Sequence, residues 1–283
     1  MQVFGTISES VLRFAAFAGV FVVMALLELA IPKRQLSAPK THRWFTNLAI
    51  VGIDSLIVRS MALAPQFLGV VIVPLAAVAT AIWAEGRGIG LFNWLNLPAW
   101  FEIVAAIVIF DFAVWVQHVA SHKVPMFWRL HQVHHADVDI DLTTGIRFHP
   151  VEIALSMLYK MVWVVVLGPA PVAVLLFEVI LNAGAMFSHA NVALPGGLDR
   201  RLRAIIVTPD MHRVHHSVIR GEHDSNYGFN LSIWDRMFRT YVDQPSKGHT
   251  EMTIGLSSYQ SAEPVKLKWS LLLPFKNVAK HDG

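Results

Sequence analysis

Long unbroken apolar stretches alternate with polar ones along this chain, a pattern of helices buried on all sides or lying in a bilayer. Residues 11–31, 45–64, 66–83, 99–117, 151–167 and 170–187 each approach the roughly 20 residues that a membrane span needs. The last two are joined only by Gly168, Pro169 and Pro171. This predicts a tight helical hairpin with both ends on one side. Polar stretches at 118–150 and from 189 onward lie beyond the spans. The fold class expected is therefore all-α: a polytopic membrane helix bundle of about 4–6 apolar helices under a cytoplasmic helical cap.

Composition agrees, since 54% hydrophobic and 15% charged residues with a mean hydropathy of +0.49 exclude an ordinary soluble domain. The first ten residues lack the basic start and small-residue cleavage pattern of a leader, so 11–31 is expected to be retained. With no cysteine, disulfides, thiolate ligands and cysteine nucleophiles are excluded. The basic residues Lys33, Arg34, Lys40 and Arg43, and later Arg200, Arg201 and Arg203, flank apolar segments. They mark cytoplasmic edges rather than a nucleic-acid surface. In the tail, Lys266, Lys268 and Lys276 surround Trp269 and Leu271–Leu273, as in an interfacial helix.

If the basic 33–43 loop and the polar 118–150 stretch share a side, three full spans cannot separate them. One of 45–64, 66–83 or 99–117 must dip in and return or lie in the interface, with Pro65, Pro74 and Gly86–Gly90 as candidate breaks. Asp54 with Arg59, and Glu178 with Asn182, are expected as interhelical polar pairs. Glu102 and Asp111 are further ionisable groups in a span, and Asp111 lies seven residues before His118, on nearly the same helical face.

Of fourteen histidines, eight form three groups: His118 and His122; His131, His134 and His135; His212, His215 and His216. Positions i, i+3 and i+4 share a helical face, so each group aims its imidazoles at one point, as chelation demands. Thr208 as N-cap, Pro209 at the first helical position and Asp210 beside it predict a helix starting just before His212, and Pro125 does the same for the middle group. One tetrahedral zinc takes four ligands, so this many imidazoles imply two ions. Imidazole alone does not choose among zinc, copper, iron and nickel.

At these residues the chain resembles the fatty acid hydroxylase/sterol desaturase superfamily of membrane non-haem di-iron oxygenases. The resemblance runs from about Phe110 to Tyr241. It is carried by His118–His122, the H-x-x-H-H at His131–His135, Arg147-Phe148-His149-Pro150, Phe187-Ser188-His189-Ala190-Asn191, Thr208-Pro209-Asp210-Met211-His212 with His215-His216, Asn226-Tyr227-Gly228 and Trp234-Asp235-Arg236-Met237-Phe238. The chain departs at Ala193, where some members carry a second histidine, and at Arg239, where glycine often follows.

The resemblance implies His118, His122, His131, His134, His135, His189, His212, His215 and His216 as metal ligands. His149, Asp111, Asp210, Asn191 and His223 are expected as supporting groups or further ligands, and Asp137, Asp139 and Asp141 as acids that orient imidazoles. Asn226 and Asp235 read as cap-folding residues, and His42, His249 and His281 as surface residues. It further implies two iron ions, with zinc as an adventitious substitute, and O₂ as co-substrate for hydroxylation or desaturation of a sterol-type or fatty acyl lipid C–H bond. Electrons must come from a separate donor, a ferredoxin or a small haem protein with its reductase, because no dinucleotide or haem motif is present. The expected organisation is N-terminal membrane helices over 1–98, a catalytic domain over 99–241 and an interfacial tail over 242–283. The alternatives are a membrane zinc hydrolase, against which stands the absence of H-E-x-x-H, and a metal transporter, which favours midplane ligands.

Overall fold

The computed structural model describes residues 8–68, 76–95 and 97–276. Five of its helices are long and apolar enough to cross a membrane: α1 (Glu9–Ala30), α2 (Lys40–Leu68), α5 (Ala99–Lys123), α7 (Pro150–Leu167) and α8 (Pro171–His189). Two short helices, α3 (Ala77–Glu85) and α4 (Leu91–Trp94), connect α2 to α5. The cap is built from α6 (Pro125–His135), α9 (Gly196–Leu202), α10 (Pro209–His215), α11 (Arg220–His223), α12 (Ile233–Met237), α13 (Gly248–Glu251) and α14 (Leu267–Leu272). The described residues contain no strand, only isolated bridges.

Local chemistry sets the helix ends. Ser8 accepts from Val11 N at the start of α1, and Thr208 accepts from Met211 N at the start of α10. Proline opens α6, α7, α8 and α10, where its missing N–H costs nothing. The α7–α8 hairpin turns at Gly168, whose φ of 59° suits glycine. Gly90, at φ 105°, lies directly against Gly168, and a Cβ on either would overlap the other's backbone. Glu102 closes the same turn by accepting from Ala170 N at 2.6 Å.

Residues 66–83 are one of the three segments of which one is expected not to cross fully. Their described part is the end of α2 and most of α3, and α3, nine residues long, is too short to cross. The backbone of α2 continues through Pro65, and Pro74 lies outside the described residues. Among the described residues two span-length helices, α2 and α5, lie between the 33–43 loop and His118, which puts the loop and His118 on one side. Phe110 and Phe177, with centroids 5.1 Å apart, anchor the apolar core between α5 and α8. Phe14, Phe45, Trp94, Trp100 and Val162 point outward, as lipid-facing residues do.

The basic loop does more than flank a span, because the cap holds it. Lys33 pairs with Asp210 at 2.6 Å, Arg34 donates to the carbonyl of Met252, and Lys40 pairs with Glu28. Arg43, expected at an exposed edge, is fully buried. It donates to both oxygens of Asp137, at 2.7 and 2.9 Å, and to Asp141 at 2.6 Å. The tail is likewise part of the cap: Trp269 and Leu273 pack with Trp128, Val133 and Leu256, while Leu272 and Phe275 stay exposed. Arg239, where the resemblance leads to an expectation of glycine, sits at φ 60°, a left-handed conformation that favours glycine.

Burial pushes the Asp137 carboxyl up, but the Arg43 guanidinium beside it outweighs this and holds it at about 2. Its unfolded value is about 3.9. The carboxylate thus contributes stability in full above about pH 4 and loses it as pH falls through about 2. Asp137→Ala strands part of a buried guanidinium and is expected to lower unfolding free energy by roughly 3 kcal/mol, read by denaturant unfolding in micelles at pH 7. The gap between variant and wild type should close as pH is taken from 4 to 2, and equal midpoints at pH 7 would refute the role.

Candidate metal centre

Nine histidines converge where the ends of α5 and α8 meet α6 and α10. They divide into two sets, His118, His122, His131, His135 and His215, and His134, His189, His212 and His216. Within each set one ring nitrogen per residue lies within 4.8 Å of all the others. The division corrects the expectation that each sequence group aims at one point. The i, i+4 pairs 118/122, 131/135 and 212/216 stay together, whereas His134 and His215, one position from a group-mate, turn to the opposite set. Neighbours on a helix diverge by about 100°, so each H-x-x-H-H serves both sets and ties them together.

Five rings are fixed through Nδ1. His118 donates to Tyr227 O at 2.7 Å, His134 to Arg147 O at 3.2 Å, His189 to Ala185 O at 2.7 Å and His215 to Ser225 O at 2.6 Å. His131 donates to Glu152 Oε1 at 2.7 Å. A carbonyl can only accept, so Nδ1 carries the proton in the first four rings and Nε2 carries a lone pair. Yet Nε2 of His134 lies 3.1 Å from Nε2 of His189, and Nε2 of His118 lies 3.1 Å from Nε2 of His215. Lone pairs facing at that distance repel unless a cation receives both. Two imidazole nitrogens at about 2.1 Å from one ion, in adjacent positions, are about 3 Å apart. In addition, neither ring nitrogen of His122, His135 or His216 has a hydrogen-bonding partner, although all three side chains are buried. The donor set fits a pair of metal ions.

Outside the membrane helices, burial first, and then the neighbouring imidazoles, push His134, His135, His212, His215 and His216 well below the usual histidine range. They are neutral near pH 7 and ready to ligate.

The other expected site residues have different tasks. Asp111 accepts from Asn230 N and Nδ2, Leu231 N and Trp234 Nε1, and so pins the cap loop to α5 instead of orienting an imidazole. Asp210 takes Lys33 and Arg213, and the Asn191 side chain bonds both backbone groups of Arg34. Asp137 and Asp141 hold Arg43, and Asp139 accepts from Ser37 and Ala38. His149 lies outside both sets because its nitrogens are spent, Nδ1 accepting from Val151 N at the start of α7 and Nε2 donating to Leu271 O. His223 belongs to neither set but packs beside one, its ring 4.5 Å from His135 and 4.9 Å from His122. Asp235 accepts from Trp115, Tyr227 N, Gly228 N and Thr240, and Asn226, at φ 49°, bonds Met211 O and Val242 O; both fold the cap.

His42 is exposed, His281 lies outside the described residues, and His249 is buried beside Gln244 rather than exposed. Glu152 was missed, because a glutamate two residues after a His-Pro helix start looks like an ordinary first-turn acid.

A cavity of about 720 Å³ runs from these histidines into the membrane bundle between α1, α2, α5, α7 and α8. His118 and His131 form part of its wall, while Phe110, Met157, Trp163, Phe177 and Leu181 supply much of the rest.

The fatty acid hydroxylase family profile matches residues 103–240, the span that holds every histidine of both sets. This stretch of the chain is similar to the fatty acid hydroxylase superfamily. It is 31% identical to ornithine lipid hydroxylase OlsE of Rhizobium tropici over 158 residues, 56% of this chain and 46% of that protein. It is 30% identical to alkylglycerol monooxygenase of Homo sapiens over 191 residues, 66% of this chain and 40% of that protein. Methylsterol monooxygenase 2-2 of Arabidopsis thaliana is 25% identical over 158 residues, 54% of this chain and 59% of that protein. The chain thus spans less than half the length of the first two relatives. No solved structure matches.

Metal-stripped protein is expected to lose stability as pH falls below about 6.5, because unfolded histidines take protons there and the buried ones do not. The slope is about 1.4 kcal/mol per pH unit for each histidine involved. Unfolding midpoints followed from pH 8 to 5.5 test this, and a flat profile would contradict a buried neutral cluster.

Proposed function

We propose that this protein belongs to the fatty acid hydroxylase superfamily and is a membrane non-haem di-iron oxygenase that hydroxylates a C–H bond of a bilayer lipid. The observation that carries the reading is the apolar cavity ending at His118 and His131: a membrane-embedded chamber for an acyl, alkyl or sterol-type chain, closed at one end by a metal-binding set. The relatives named as hydroxylases and monooxygenases favour hydroxylation over desaturation.

In this reading the nine histidines of the two sets hold two iron ions. Bound iron supplies the reduction of O₂ and the oxidant for an unactivated C–H bond. The chain's own residues do the rest. Tyr227, Arg147, Ala185 and Ser225 carbonyls and the Glu152 carboxylate hold the rings with Nε2 forward. Phe148 stacks on His134 at 4.6 Å and helps keep water from that side. Electrons come from a separate ferredoxin or small haem protein with its reductase. In this reading the histidine side faces the cytoplasm, which the positive-inside tendency of Lys33, Arg34 and Lys40 supports. The catalytic unit is residues 99–241, with the 1–98 helices completing the cavity and 242–276 completing the cap.

Lipid mass spectrometry of cells grown under labelled O₂ tests the proposal. Wild type is expected to yield a lipid carrying one labelled oxygen, and His134→Ala none. Purified wild type reconstituted anaerobically with ferrous iron should bind two ions per chain, and His134→Ala fewer. Stoichiometric zinc with lipid hydrolysis and no labelled product would replace the oxygenase reading with a hydrolase.

A further inference from the structure

Six acidic or basic side chains other than histidines, which the sequence places in or beside spans, meet the large cavity: Arg13, Asp54, Arg59, Glu152, Lys160 and Glu178. Three of them satisfy one another away from the histidines. Glu178 accepts from Arg13 at 2.6 Å and from Lys160 at 2.7 Å, tying α1, α7 and α8 together. Asn182, its expected partner, instead donates to the Glu178 carbonyl.

Asp54 and Glu152 differ. The Asp54 residue is only 8% exposed, yet its Oδ1 has no hydrogen-bonding partner. Arg59, expected to pair with it, is exposed, and no ion pair joins the two among the described residues. Glu152, also 8% exposed, spends Oε1 on His131 and leaves Oε2 without a partner. Both line the same cavity, on α2 and α7, which pack against each other. A buried acceptor left unpaired destabilises a fold, and a buried uncompensated carboxylate does so more strongly. Ionisable groups kept at that cost inside a membrane bundle mark a working site.

We propose that Asp54 and Glu152 Oε2 form an acceptor pair for a hydrogen-bond donor, a hydroxyl or an ammonium, on the polar end of the lipid substrate. That end is held beside His131, and the apolar chain lies along Phe110, Met157, Trp163 and Phe177. The idea rests on the oxygenase reading for the word substrate, but as a statement about binding it needs neither iron nor turnover.

The test is equilibrium binding of labelled amphiphiles to the full chain in nanodiscs. Three probes share one chain length: hexadecanol, hexadecylamine and methyl palmitate, the last having no donor. Wild type is expected to bind one of the first two about tenfold more tightly than the ester. Asp54→Leu should erase that preference while leaving ester binding and thermal stability unchanged or raised, since it removes a buried oxygen without a partner. Asp54→Asn separates the two donors, keeping a hydroxyl preference and losing an ammonium one. Equal binding of all three probes to wild type, a preference that survives Asp54→Leu, or a loss of stability in that variant matching its loss of binding would overturn the proposal. Because these measurements are made without oxygen or reductant, their failure leaves the labelled-oxygen experiment standing, and the reverse holds too.

Discussion

Nine neutral imidazoles share one buried volume only when every ring is turned so that its proton points away from the others. Here five rings have that outward bond, four to backbone carbonyls and one to Glu152. The inward nitrogens are left as lone pairs that repel until something positive lies among them. Much of the architecture follows from this demand. Carbonyls must arrive at set places from the turn before α7, from α8 and from the 225–227 loop, so cap and bundle are held in register.

That register depends on polar bonds across the boundary between cap and membrane helices. Arg43 enters from α2 and gathers Asp137 and Asp141 beneath α6. Arg147, also fully buried, bonds Asn47 on α2, the carbonyl of Val133 and the tail at Pro264 and Ser270. On the opposite flank Asp111 and Asp235 fasten the 226–235 loop to α5. Such groups tolerate burial because each is matched by donors or acceptors in full. Asp54 and the second oxygen of Glu152 break that pattern at the one place where the cavity meets the histidines.

The centre therefore sits between two media. Towards the bundle it faces a mostly apolar cavity of about 720 Å³, and towards the cap it is roofed by Trp128, Tyr227 and His223. The two sets thus lie between the bundle's mostly apolar interior and the polar cap.

Much was legible in the linear order of residues. Apolar run lengths identified the spans, and Gly168 with Pro171 gave the hairpin. Thr208–Pro209 and Pro125 placed the starts of the two short histidine helices, and three i, i+4 histidine pairs announced a chelating site. All are local signals, set by helical period, φ preference and capping within a turn or two. Long-range partnership was not legible: that His134 leaves His135 for His189, that Arg43 is interior, that Asp111 serves the cap, and that Glu152 holds His131. Any carbonyl or carboxylate can accept a hydrogen bond, and nothing local says which one packing will bring within about 3 Å. The sequence alone determined which groups could bind metal; only the folded bundle decided how they divide, which way each lone pair points, and where a lipid can reach them.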